Sequence, residues 1–193
     1  MSWPSKVEDN PTFANFPSHN KVLRCEERLS VGYRYDDQEG LPRPLYPFEY
    51  GLSYTEFELL DVKIVQQRVL LAAADKNIDI TVQTRVKNMG QSGEKVVVQF
   101  CVADCNISQE MEHDHAPRLP KELRAFRKIA LDAGEARHIV IALDKDAVSF
   151  YNAAQMCCEA RSGAYKVLAG LLRVDITHSI DFIVDEGFKW TGV

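Results

Sequence analysis

From about residue 57 onward, apolar and polar residues alternate in short runs. The clearest run places Ile78, Ile80, Val82 and Val86 at every second position, with charged and amide residues between them. A repeat of two is typical of a strand with one buried face, because successive side chains of a strand point to opposite faces. Comparable runs predict about seven strands, at residues 57–68, 78–86, 96–102, 122–131, 139–143, 165–171 and 180–184.

The spacing of these strands predicts an antiparallel β-sandwich. Turn residues separate the runs, for example at residues 88–93. No helix of useful length is apparent, although residues 146–151 have a composition that allows one helical turn. Residues 105–120 are polar, acidic and flanked by proline, so we expect a long irregular surface loop there. The predicted fold is therefore mostly β.

Residues 1–43 precede the strands and show little periodicity. They are rich in proline, asparagine, aspartate and charge, yet they also carry Phe13, Phe16, Tyr33 and Tyr35. Such a segment buries too little apolar surface on its own to offset the loss of chain entropy on folding. We therefore expect an extended, irregular segment that packs against something else.

Residues 44–57 are interrupted by Pro44 and Pro47 and contain five aromatic residues. Each proline removes a backbone donor and biases the preceding residue towards extended geometry, which excludes a helix. The aromatic side chains carry more apolar area than a free linker keeps in water. We interpret the segment as a packed connector between two domains; an aromatic platform for a ligand is the alternative.

The composition excludes some classes of partner. The chain has 193 residues, of which 46% are hydrophobic, and a net charge of −5. An acidic chain is a poor ligand for nucleic acid, which requires a basic surface. No apolar run approaches the roughly 20 residues that cross a bilayer; the longest lies at residues 69–74. The first residues lack the basic-then-apolar pattern of a signal peptide.

Five cysteines, an odd number, favour reduced thiols and a cytoplasmic location. Cys157 and Cys158 are adjacent, and adjacent cysteines seldom reach good disulfide geometry. The sequon at residues 106–108 would matter only in a secreted protein.

We find no cluster of residues that predicts catalytic, cofactor or metal chemistry. Residues 112–115 (Glu-His-Asp-His) match no standard zinc spacing, so a solvated loop is favoured over a metal site. Cys101 and Cys105 have no second cysteine pair. Ser53 lacks the flanking glycines of a nucleophile elbow. We therefore assign no catalytic, cofactor-binding or metal residue.

Several blocks of the sequence occur in an order that is typical of one enzyme family. The most specific is the junction at residues 47–57, Pro-Phe-x-Tyr-Gly-Leu-Ser-Tyr-Thr-x-Phe. The others lie upstream, at residues 3–4, 8–17 and 31–36, and downstream, at residues 96–102, 120–126, 134–135, 143–144 and 163–167. Together they resemble glycoside hydrolase family 3, the β-glucosidase family, from its second catalytic domain through its fibronectin type III-like domain.

The resemblance implies a C-terminal fragment of a β-glucosidase-like enzyme. Residues 1–56 would be the tail of the preceding α/β domain with the interdomain linker, and residues 57–193 the fibronectin type III-like (immunoglobulin-like) sandwich. The family enzyme hydrolyses terminal β-D-glucosyl residues with retention in carbohydrate catabolism, through a covalent glycosyl-aspartate and without a metal or cofactor. The resemblance places its catalytic aspartate and glutamate upstream of the matched region. We therefore expect no hydrolase activity from this chain.

Two other interpretations stay open. In the first, the chain is a free-standing, non-enzymatic β-sandwich module that binds a ligand or associates with its own copies through the orphaned interdomain surface. Alternatively, a separately encoded partner completes a catalytic subunit. Neither interpretation includes nucleic acid or a membrane.

Several single residues stand out by comparison with the family. Glu27 aligns with a family glutamate, and Glu26 is the nearest alternative for that position. We expect this glutamate to form a structural ion pair or to accept hydrogen bonds from the backbone. Arg34 is a candidate for a bidentate pair with a carboxylate. Glu49 and Arg28 stand where the family has glycine, a residue that often marks a special backbone angle. Ala125 replaces a third glycine.

Overall fold

The computed structural model describes residues 2–18, 20–25, 27–38, 40–51, 53–70, 77–106 and 118–191. The chain divides into two compact units. The tail unit comprises Met1–Leu52 and Leu172–Val174, and the sandwich unit comprises Ser53–Leu171 and Asp175–Val193.

The sandwich unit is built from antiparallel strands. In chain order these are β1 (Phe57–Leu70), β2 (Asn77–Asn88), β3 (Glu94–Asp104), β4 (Glu122–Leu131), β5 (Ala136–Leu143), β6 (Ser149–Asn152), β7 (Cys157–Ala160), β8 (Gly163–Gly170), β9 (Ile176–Val184) and β10 (Phe188–Trp190). They form sheets in the orders β1-β2-β5, β4-β3-β8-β9 and β10-β7-β6. This architecture confirms the predicted antiparallel β-sandwich.

The helices of the described residues are short 3-10 turns. Three lie in the tail unit, η1 (Val7–Asp9), η2 (Phe13–Asn15) and η3 (Gly32–Asp37), and η4 (Lys145–Val148) lies in the sandwich unit. Across the described part of the chain, no helix has the length and apolar character needed to cross a membrane.

The core forms where the inward rows of the sheets meet. Ile78, Ile80 and Val82 of β2 are fully buried, as the alternation predicted. Val98 and Phe100 of β3 are buried in the same cluster. Burying a side chain of this size stabilises the fold by about 1.5–3 kcal/mol, so the sandwich unit has an apolar core of its own.

All seven predicted strands are present, and β4 has the predicted bounds. Strands β6, β7 and β10 were not predicted, because runs of three or four residues are too short to show a period. The helical turn expected within residues 146–151 is η4, where the Asp144 side chain accepts from the backbone N–H of Asp146 at 3.0 Å. The predicted loop at 105–120 is described only at its ends, since residues 107–117 lie outside the described residues.

The side chain of Asn88, fully buried at the end of β2, joins four chain segments. Its Oδ1 accepts from the Thr55 hydroxyl and from the Gly90 N–H, the latter at 3.0 Å. Its Nδ2 donates to the carbonyl oxygens of Ser92 at 2.8 Å and Leu131 at 3.2 Å. A Cβ at Gly90 would collide with Thr55, so the turn needs glycine. Asn88 thus fixes the start of the sandwich unit to the β2–β3 connection.

We expect Asn88→Ala to lower the free energy of unfolding of the sandwich unit by about 1–3 kcal/mol, because it leaves buried donors and acceptors without partners. The measurement is urea unfolding followed by Trp190 fluorescence in a Trp3→Phe background. Gln91→Ala is the control: Gln91 is exposed in the same turn, and its replacement should change the value by less than about 0.5 kcal/mol. Equal effects of the two substitutions would contradict the role of Asn88.

Candidate functional site

The tail unit is held together by a short backbone bridge. The Trp3 N–H donates to the Tyr46 carbonyl at 2.7 Å, and the Tyr46 N–H donates back at 3.3 Å. Close by, the Ser5 hydroxyl donates to the Arg43 carbonyl at 3.0 Å. These bonds pair the first residues of the chain with the proline-rich segment that was predicted to be a packed connector.

Aromatic rings of that segment contact each other and η3. Phe48 stacks on Tyr33 with ring centroids 4.5 Å apart, and Tyr46 lies 5.0 Å from Tyr50. Phe57 packs against the core of the sandwich unit. Phe48 and Phe57 are thus packed, whereas Tyr46 and Tyr50 are about half-exposed. Tyr54 is almost wholly exposed.

A buried ion pair lies at the centre of the tail unit. Arg173 Nε donates to Asp37 Oδ2 at 3.0 Å, and Nη2 donates to the same oxygen. The two side chains are only 1% and 2% exposed, and the guanidinium carbon lies 5.1 Å from the Tyr33 ring centroid. Two N–H groups of the guanidinium can reach the same carboxylate oxygen because its donors lie in one plane.

The arginine of this pair is Arg173 rather than Arg34, the residue that the sequence suggested for such a role. Among the described residues, Arg34 forms no ion pair, whereas Arg173 reaches a carboxylate 136 positions earlier in the chain. The available signal for Arg173 was its place within an apolar run, Leu171-Leu172-Arg173-Val174. A cation in such a run indicates a buried partner.

The tail unit exposes much more apolar surface than its size warrants. Eleven large apolar side chains in residues 2–51 are between 42% and 73% exposed. They are Trp3, Val7, Phe13, Phe16, Val22, Leu23, Leu29, Val31, Leu45, Tyr46 and Tyr50. We call these residues the tail surface. Among the described residues 2–51, by contrast, only Ser30 is buried.

Glu49 and Arg28, for which the family resemblance implies glycine, both have backbone angles in the left-handed region. Glu49 has a φ of +68° and Arg28 a φ of +48°. This region favours glycine, because a Cβ crowds the following carbonyl. Ala125 differs: it lies in β4 and is not among the residues with positive φ.

Glu27 lies two residues before Leu29 in the tail surface. Its carbonyl accepts from the Ser30 N–H at 2.8 Å. Its carboxylate atom Oε2 is buried and has no hydrogen-bond partner among the described residues. The ion pair expected for Glu27 is therefore not formed within the described part of this chain. Glu26 lies outside the described residues.

The remaining candidates have structural roles or fall outside the description. Ser53 Oγ accepts from the Thr55 N–H at 3.3 Å, which is a local turn contact. His138 is exposed and pairs with Gln83 at 3.2 Å. The described ranges contain no group of three or more His, Cys, Asp or Glu residues that could hold a metal, and residues 112–115 lie outside those ranges.

The cysteines are thiols rather than disulfides at Cys25, Cys105, Cys157 and Cys158. Burial raises the pKa of the Cys105 thiol above its ordinary value, and the neighbouring Asp181 and Asp104 add to this shift while Lys166 opposes it. A raised pKa lowers the thiolate fraction at neutral pH, which disfavours a nucleophilic role for Cys105.

Comparison with known proteins defines the class of the sandwich unit first. Residues 96–171 match the family model of the fibronectin type III-like domain. The thermostable β-glucosidase B of Acetivibrio thermocellus is 37% identical over 175 residues, covering 91% of this chain and 22% of that protein.

Solved structures agree with this assignment. The β-glucosidase of Kluyveromyces marxianus in complex with glucose is 33% identical, with a TM-score of 0.77 over 100% of this chain and 21% of its own. The GH3 β-glucosidase of Bifidobacterium adolescentis is 27% identical, with a TM-score of 0.80 over 97% of this chain and 25% of its own.

The chain corresponds to the C-terminal portion of glycoside hydrolase family 3 β-glucosidases, the portion that contains the fibronectin type III-like domain. It spans about a fifth of the length of the curated relatives it matches.

We expect Arg28→Gly to raise the free energy of unfolding of the tail unit by about 0.5–1 kcal/mol. Relief of the left-handed strain outweighs the added entropy of the unfolded chain. The measurement is urea unfolding followed by Trp3 fluorescence in a Trp190→Phe background. Arg24→Gly is the control, since Arg24 is also exposed but has no positive φ, and it should not stabilise. Equal destabilisation by both substitutions would contradict the strain at Arg28.

Proposed function

We propose that this chain is the non-catalytic C-terminal module of a β-glucosidase. In this proposal residues 57–193 are a structural sandwich domain, and residues 1–56 are the tail and linker that dock onto the remaining four-fifths of the enzyme. The observation that carries the proposal is the tail surface, whose eleven exposed apolar side chains contrast with a single buried residue, Ser30, among the described residues 2–51.

The docking part of the proposal rests on hydrophobic burial. Each square ångström of apolar surface removed from water stabilises an association by about 25 cal/mol. Exposed apolar surface on this scale is unusual for a free-standing protein and marks an interaction site. Relatives that match the whole chain continue for several times its length, so they contain the protein that would cover this surface.

The proposed activity of the whole enzyme is the retaining hydrolysis of terminal β-D-glucosyl residues. Relatives are named β-glucosidases, and one of them is solved with glucose bound. Retaining hydrolysis requires two carboxyl groups about 5–5.5 Å apart. We propose that both come from the part of the enzyme that this chain does not match, and that the reaction uses no metal or cofactor.

The isolated chain should release no nitrophenol from p-nitrophenyl β-D-glucoside above a heat-inactivated control, because it carries neither catalytic carboxylate. The same chain should support activity in a chimera in which it replaces the matched 21% of the Kluyveromyces marxianus enzyme. A truncated enzyme without that fifth is the matched control and should be inactive or insoluble. Turnover by the isolated chain, or an inactive chimera beside an active parent enzyme, would contradict the proposal.

Self-association is a second candidate, and the same exposed surface favours it. Without its covering partner, the tail surface should bury itself against a second copy. Size-exclusion chromatography with light scattering should then give a mass above 21.9 kDa that rises with concentration. Phe16→Ser with Leu23→Ser should return the chain to a monomer, since both residues are exposed in the tail surface. A wild-type monomer at every concentration would contradict self-association.

A further inference from the structure

One carboxylate lies among the apolar residues of the tail surface. Val22 and Leu23 precede Glu27, Leu29 and Val31 follow it, and all four apolar side chains are exposed. Glu27 Oε2 is nevertheless buried, with no hydrogen-bond partner among the described residues. A buried acceptor thus lies in a stretch of the chain that exposes four large apolar side chains.

Within the part of the chain that the structure describes, the cations closest to Glu27 in sequence do not pair with it. Lys21, Arg24 and Arg28 lie within six positions of it, and all three are exposed. None of them forms an ion pair with Glu27 among the described residues, which include all four. Elsewhere in the tail unit, polar groups do find partners: Arg173 binds Asp37, and Ser30 Oγ accepts from Gln38 at 2.6 Å.

Burial without a partner is costly for a carboxylate oxygen, and most buried polar atoms in folded proteins have a partner. Docking of an apolar partner onto the surrounding residues would remove the remaining water and raise this cost. A neutral donor would satisfy the oxygen but leave the charge uncompensated, whereas a guanidinium or ammonium group supplies both a donor and the opposite charge. The partner chemistry that fits Glu27 is therefore cationic.

We propose that Glu27 is the ionic anchor of the docking surface and binds an arginine or lysine side chain from the remaining part of the β-glucosidase. This inference rests on the proposed function, because that part is the protein expected to cover the tail surface. It adds the residue and the chemistry on which docking depends.

The first arm of the test uses the isolated chain. Because Glu27 Oε2 has no hydrogen-bond partner among the described residues of the chain, Glu27→Gln and Glu27→Leu should leave the Tm within about 1 °C of wild type or raise it. Glu8→Gln is the matched control, since Glu8 is an exposed glutamate of the tail unit. A lower Tm for Glu27→Gln than for Glu8→Gln would show that Glu27 is already satisfied within the chain and would overturn the proposal.

The second arm uses the chimera with the Kluyveromyces marxianus enzyme. Here Glu27→Gln and Glu27→Leu should each shorten the half-life of activity at elevated temperature at least about tenfold, because they leave the partner's cation buried alone. Glu8→Gln should change the half-life by less than about twofold. High salt should reduce this effect on the half-life less than it reduces the effect of removing a surface ion pair, because salt screens a buried pair poorly.

The other outcomes separate the two proposals. If both Glu27 variants have the same half-life as Glu8→Gln, Glu27 is not an ionic anchor. The proposed function is unaffected by that result. Loss with Glu27→Leu but not with Glu27→Gln would reveal a neutral donor and overturn the cationic partner. An inactive chimera carrying the wild-type chain would contradict the proposed function and therefore also the proposed role of Glu27.

Discussion

The described residues of the tail unit form no apolar core of their own, and this constraint explains how the unit is built and why its surface is apolar. Among its described residues 2–51, only Ser30 is buried. The unit instead depends on the buried pair of Arg173 and Asp37, on the stack of Phe48 against Tyr33, and on the bridge between Trp3 and Tyr46. A unit that buries so little apolar surface is marginally stable by itself, which is consistent with the large apolar area it leaves exposed.

The sandwich unit follows the opposite principle. Its strands contribute a continuous cluster of buried aliphatic and aromatic side chains, and Asn88 satisfies four hydrogen-bonding groups where the chain enters β1. In the proposed enzyme, the sandwich supplies stability and the tail supplies recognition. The catalytic chemistry then belongs to the part of the enzyme that docks on the tail surface.

Periodicity predicted the long strands because their inward positions repeat over five or more residues, as in Ile78, Ile80 and Val82. It could not predict β6, β7 or β10, which are too short to show a repeat. The buried pair of Arg173 and Asp37 joins residues 136 positions apart, and no local pattern encodes such a contact. The left-handed backbone at Glu49 and Arg28 was foreseeable only through the family resemblance, which implies glycine at both positions. The missing partner of Glu27 could be seen only once the atoms around its carboxylate were placed.

Hydrogen–deuterium exchange tests most directly whether the tail surface is covered in the whole enzyme. Peptides from residues 20–31 are compared between the isolated chain, diluted until light scattering gives a monomer, and the active chimera, with peptides from β2 as the internal reference. If the surface is covered, exchange in residues 20–31 slows at least about tenfold in the chimera while β2 is unchanged. Equal exchange of residues 20–31 in the isolated chain and in an active chimera would contradict coverage of the tail surface.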